Sequence, residues 1–225
     1  MKINDLIEIH VVYSIPALPS LTPTKEQQKE MNTDLKVKHA WLPAFVIDVV
    51  NDSYAYIQFQ DPWDLKMKDL FISLIRPENN IRWRRVARKP YVTIDFDGTI
   101  VKHRYPYIGD PVPGAFETIR ELQENDVRCI LLTMREGEEL QQAVNYCGLN
   151  GVVFWSVNYN PGQLSWAPDA RKVYSMVHID DTNCGSPLIY PKVVDRPYVD
   201  WSKIRTHLKE DYYLLKNNEY ESVSH

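Results

Sequence analysis

The 225-residue sequence has no long apolar run. The longest, such as Cys129–Met134, is about six residues, far short of a membrane span. A signal peptide is not expected, because Asp5 and Glu8 interrupt the apolar residues of MKINDLIEIH. Cysteine is scarce: Cys129, Cys147 and Cys184 are the three, with no CxxC spacing. That excludes a disulfide scaffold and a zinc knuckle and points to a reducing, cytoplasmic setting. Charge of one sign is also lacking. Lys+Arg is 26 against Asp+Glu 30, so no global basic field marks the whole chain as a nucleic-acid binder, and only a local patch stays open. What is present is ordinary for a folded protein: 44% hydrophobic and 25% charged residues, enough for one medium domain or two small ones. Fifteen prolines and fourteen tyrosines describe a loop-rich chain.

Two parts read differently. Residues 1–88 look like a small β domain. Leu6–Ile15, Ala44–Val50, Tyr54–Phe59, Leu70–Ile75 and Ile81–Arg84 are short strand-like runs, with turn residues at Asn51-Asp52-Ser53 and Arg76–Asn80. Between the first two lies polar Leu21–Lys38, where Thr24 and Gln27 fit a capping box and a short helix from Lys25 competes with a loop. From Lys89 the pattern alternates. Tyr91–Phe96, Val127–Thr133, Val152–Val157, Met176–Ile179 and Lys192–Val194 read as strands. Helices follow Pro113-Gly114, span Glu136–Cys147 with Gly148 as the C-terminal cap, and span Trp201–Leu208 behind Asp200. Apolar strands separated by helices predict an α/β fold, a parallel sheet covered on both faces, over 89–210. Residues 211–225 are a polar tail.

In such a sheet ligands sit at the carboxyl ends of the strands. Those ends carry Asp95-Phe96-Asp97-Gly98-Thr99, then Thr133-Met134-Arg135, then Asn158-Tyr159-Asn160-Pro161-Gly162, then Asp180-Asp181. Each short acidic pair alone is as well explained as a strand end or helix cap. Four carboxylates converging on one edge are not, because they cannot all stay ionised without a cation. An all-oxygen set suits Mg²⁺ rather than zinc. A carboxylate nucleophile, a second carboxyl as acid/base and a cation make up the parts for phosphoryl transfer. Thr133 offers a hydroxyl, and Arg171 or Lys172, on an expected helix leading into the fourth strand, offers a positive charge.

Taken in order, Asp95-Phe96-Asp97-Gly98-Thr99, Thr133, Lys172 and Asp180-Asp181 resemble the four motifs of the haloacid dehalogenase-like (HAD) hydrolases, over about residues 90–210. The resemblance implies a Rossmannoid sheet in the order 5-4-1-2-3. It implies that Asp95 is the nucleophile that becomes an aspartyl-phosphate and that Asp97 is the general acid/base. Thr133 and Lys172 would bind the phosphoryl group, and Asp95, Asp97, Asp180 and Asp181 would hold Mg²⁺. Aspartate at position 97 is what the family's phosphatases carry. Only fourteen residues, 100–113, separate Thr99 from Gly114, which leaves no room for a folded cap there. The expectation is a capless member with an open site and His103–Tyr107 as a local lid. Arg135, Asn158 and Asn160 are candidates for substrate contact, the asparagines being equally explained by turn formation before Pro161-Gly162.

The stretches around Trp41–Ile47, Tyr54–Phe59 and Ile75-Arg76-Pro77 resemble SH3-like barrels of the Tudor and Agenet type. Trp41, Tyr54, Tyr56, Phe59 and Trp63 would then line a cation cage or, more plainly, fill the barrel core. Arg82, Arg84, Arg85, Arg88 and Lys89 make a basic run suited to a phosphate backbone or to a solvated strand edge. It enters the first parallel strand at the end opposite Asp95, roughly 16 Å away at about 3.3 Å per residue. The expected enzyme is a phosphoric monoester hydrolase acting on a small substrate such as a nucleotide or sugar phosphate, with no membrane partner. Two rivals remain: an end-processing phosphatase docked on nucleic acid by the β domain, and a non-enzymatic binding protein on the same scaffold, its β domain taking a peptide or nucleic acid.

Overall fold

The computed structural model describes residues 6–13, 38–51, 54–60, 67–73, 82–85, 89–162, 169–192, 195–212 and 214–215. The expected helix from Lys25, the turn at 76–80, Trp63, Arg88 and most of the tail lie outside the described residues. The chain divides into two compact units, 1–86 with 144–153, and 87–143 with 154–225.

The first unit carries a five-stranded antiparallel sheet: β1 (Leu6–Tyr13), β2 (Lys38–Asn51), β3 (Tyr54–Gln60), β4 (Met67–Ser73) and β5 (Arg82–Arg85), in the order β4-β3-β2-β1-β5. Asn51 pairs with Tyr54, so β2 and β3 form the expected hairpin, and register shifts between Val46 and Asp48 and between Val49 and Asn51 bend β2. Ala44 and Ile57 are fully buried.

The second unit is α/β. Its parallel sheet holds β6 (Tyr91–Ile94), β7 (Arg128–Leu131), β8 (Ser156–Val157) and β9 (Val177–Ile179) in the order β8-β7-β6-β9. Every residue of β6 and β7 is buried, the signature of strands covered on both faces. Around the sheet run α1 (Ala115–Glu124), α2 (Gly137–Leu149), whose C-terminal half counts with the first unit, and α3 (Trp201–Glu210). Ala115, Phe116, Ile119 and Leu122 of α1 and Trp201, Ile204 and Leu208 of α3 are buried at helical spacing. The Asp200 side chain caps α3 by accepting from the backbone N–H groups of Ser202 and Lys203.

The order agrees with 4-1-2-3 of the expected five strands, and two local expectations fail. The expected fifth strand, Lys192–Val194, lies outside the described residues but for Lys192, which is in a bend; on either side the chain makes a short antiparallel pair, β10 (Leu188–Ile189) with β11 (Tyr198–Val199). Arg171 and Lys172 are in a bend rather than a helix. Gly148 does not end α2; the helix runs on to Leu149, and the left-handed residue that follows is Gly151, whose N–H donates to the Gly148 carbonyl.

Candidate active site

The parallel register builds the site. Ile94 pairs with Ile179 in β9 and with Leu131 in β7, and the Asp95 N–H donates to the Ile179 carbonyl (2.9 Å). Asp95 and Asp180 therefore leave the sheet side by side. The strand does not persist to Asp97, as alternation would require. The chain turns instead: the N–H groups of Ile100 and Val101 both donate to the Phe96 carbonyl, and Gly98 N–H donates to the Val101 carbonyl. Gly98 sits at φ 88°, and a Cβ there would lie 2.6 Å from Asp181 Oδ2. Glycine is required by both the backbone and the crowding.

Carboxylate oxygens of Asp95, Asp180 and Asp181 lie within 4.8 Å of one another. Burial pushes the Asp95 carboxyl up to about 7, and the negative charges of Asp180, Asp181 and Asp97 push the same way against a hydrogen bond from the Phe96 backbone. Three converging oxygens, one on a group whose charge is costly without a counter-ion, fit a hard divalent cation such as Mg²⁺. Asp180 Oδ1 also accepts from the Thr182 N–H (2.7 Å) and hydroxyl (2.6 Å), which orients it. Asp181 is held by His103 Nε2 at 2.9 Å and, through its backbone N–H, by Thr99 Oγ1.

Asp97 is gripped by Arg135. Nε and Nη2 of Arg135 donate to its two oxygens at 2.6 and 2.8 Å, a bidentate pair. The same guanidinium donates to the carbonyls of Pro106 (3.0 Å) and Tyr107 (2.9 Å). Arg135 is only 2% exposed. Sequence reasoning placed it at the site as a substrate contact. The structure shows its donors spent on Asp97 and on the 100–112 loop, and spacing alone carries no signal of that. The sequence likewise marks His103 only as part of a lid loop and carries no sign of its bond to Asp181.

The Thr133 backbone is fixed by Asn158 Oδ1, which accepts its N–H at 2.8 Å, and Thr133 Oγ1 accepts from the Arg135 N–H. Asn158, exposed and at φ 61°, thus orients Thr133. Asn160 is buried, with its amide donating to the Tyr174 carbonyl and accepting from the Gly162 N–H, the turn-forming alternative. Lys172 and Arg171 are exposed. The Lys172 charge helps depress His178, after burial, and His178 in turn shares a 2.6 Å hydrogen bond with Thr93. No helix of the described residues is long and apolar enough to cross a membrane.

No protein-family model and no curated protein matches the chain. Among solved structures it is similar to a conserved protein of Bacteroides thetaiotaomicron, 36% identical, with 55% of this chain and 93% of that chain covered and a TM-score of 0.44.

Proposed function

We propose that this chain is a Mg²⁺-dependent phosphatase of the haloacid dehalogenase type, hydrolysing a phosphate monoester through an aspartyl-phosphate. The observation that supports it is the convergence of Asp95, Asp180 and Asp181 oxygens within 4.8 Å at the ends of neighbouring parallel strands, beside Asp97. The carboxylates of Asp95, Asp180 and Asp181, with the backbone carbonyl of Asp97, would hold the cation, and Mg²⁺ when bound supplies charge against the phosphoryl oxygens. An Asp95 oxygen attacks phosphorus, and the bond to the leaving oxygen breaks. Asp97, once protonated and freed on one oxygen from Arg135, gives that oxygen its proton. Water then attacks the phosphorus of the aspartyl-phosphate, Asp97 takes its proton, and the Asp95–phosphorus bond breaks to release inorganic phosphate. Thr133 is read as a hydrogen-bond donor to the transferring group and Lys172 as its cation. We read the N-terminal sheet as an SH3-like module, on the strength of a meander with β1 seated between β2 and β5.

The test is hydrolysis of an aryl phosphate with and without Mg²⁺, wild type against Asp95→Asn. Turnover that needs the metal and vanishes in the variant supports the assignment. Metal-independent turnover, or an active variant, overturns it.

A further inference from the structure

The loop between Val101 and Pro111 is fastened to the carboxylate cluster at two points and presents aromatic rings at its tip. Its stem is a narrow antiparallel turn: Val101 bridges to Pro111, Lys102 N–H donates to the Asp110 carbonyl (2.9 Å), and Val112 N–H donates to the Ile100 carbonyl (2.8 Å). His103 ties one side to Asp181, and Arg135 ties the other to Asp97 through the Pro106 and Tyr107 carbonyls. Arg135 Cζ also lies 5.3 Å from the Tyr105 ring centroid. That ring is nonetheless 63% exposed. Tyr107 is 76% exposed, and Met134, the residue before Arg135, is 96% exposed.

We infer that Tyr105 is a stacking platform for a nucleobase, so that the leaving group of the proposed phosphatase is a nucleoside, free or at a nucleic-acid end. The inference rests on the phosphatase reading above. One guanidinium reaches from Asp97, which would protonate the leaving oxygen, to the Tyr105 ring. Its nitrogens stand 2.6 and 2.8 Å from the Asp97 oxygens and its carbon 5.3 Å from the Tyr105 centroid, so ring and acid share one cation. A cation stacked on one face holds the ring in place, so a second planar group on the open face finds a surface that is already ordered. A sugar phosphate has no π face to use it. The exposed tyrosines would otherwise leave apolar area in water beside a highly charged site.

The experiment compares kcat/KM for a nucleoside monophosphate with that for glycerol phosphate, in wild type, Tyr105→Phe and Tyr105→Ala. An oligonucleotide bearing a terminal phosphate is run alongside, and the better substrate of the two tells a free nucleotide from a nucleic-acid end. The nucleotide preference should fall roughly ten- to a hundredfold in Tyr105→Ala, the worth of one base stacked on one ring, and survive in Tyr105→Phe. A preference that the alanine variant leaves intact, or that the phenylalanine variant loses equally, overturns the platform while wild-type turnover keeps the phosphatase. Absence of Asp95-dependent turnover on all three substrates overturns the phosphatase, and the platform falls with it.

Discussion

Asp97 and Arg135 show how much a single buried cation organises. A lysine could place a charge near Asp97 but could not span two carboxylate oxygens and two loop carbonyls, because an ammonium is a point and a guanidinium is a planar fork. Arg135→Lys should therefore lower kcat and destabilise the fold by about 3 kcal/mol in urea denaturation, the cost of breaking a buried pair. Combining it with Asp97→Asn should cost less than the sum of the single changes, since the two groups share one interaction. Additive losses would mean that the pair does not act as a unit. Asp95 makes a second prediction. Its folded carboxyl titrates near 7 against an ordinary 3.8, so the folded state binds the proton more tightly than the unfolded chain. Without metal, its contribution to stability is present below about pH 4 and is lost as pH rises through about 7. Mg²⁺ competes with that proton. The melting temperature should rise on adding Mg²⁺ more at about pH 8 than at about pH 5. Equal rises at the two values would separate the cation from these carboxylates.

Among the elements, the turn after β6 is the most exacting. Gly98→Ala would place a side chain at φ 88°, where L-residues are strained, and into the His103–Asp181 pair. A loss above about 1 kcal/mol is expected, with Mg²⁺ affinity falling at the same time. Thermal unfolding and metal titration of the variant check both. The elements that carry the site were legible because their signals are strong: β6 and β7 are apolar runs, α1 and α3 have stripes at helical spacing, and Asp200 is a recognisable cap. Asp95, Asp180 and Asp181 could be placed together because the parallel register aligns strand ends. What stayed hidden has physical causes. β10 and β11 are two residues each, too short for any periodicity to show. Asp97 reaches the site by a turn whose geometry Gly98 permits, not by strand alternation. The grip of Arg135 on the loop joins residues about thirty apart through backbone carbonyls, and backbone acceptors leave no trace in side-chain patterns.

At the scale of the whole molecule, the chain combines an antiparallel sheet in one unit with an α/β unit whose acidic strand ends form the candidate centre. The net charge of −4 gives no general pull on polyanions. On the proposed reading, selection of a phosphorylated substrate falls to the local parts: the carboxylate cluster, the Arg135-anchored loop and its exposed rings. The proposed aspartyl-phosphate route requires Asp95 to act as a nucleophile rather than only as a cation ligand. The most direct measurement is the stereochemical course at phosphorus, followed with a substrate made chiral by oxygen isotopes and a labelled acceptor. Two successive in-line displacements, first by Asp95 and then by the acceptor, predict net retention of configuration. Net inversion, the mark of one direct displacement by the acceptor, would contradict the aspartyl-phosphate and leave Asp95 as a ligand alone.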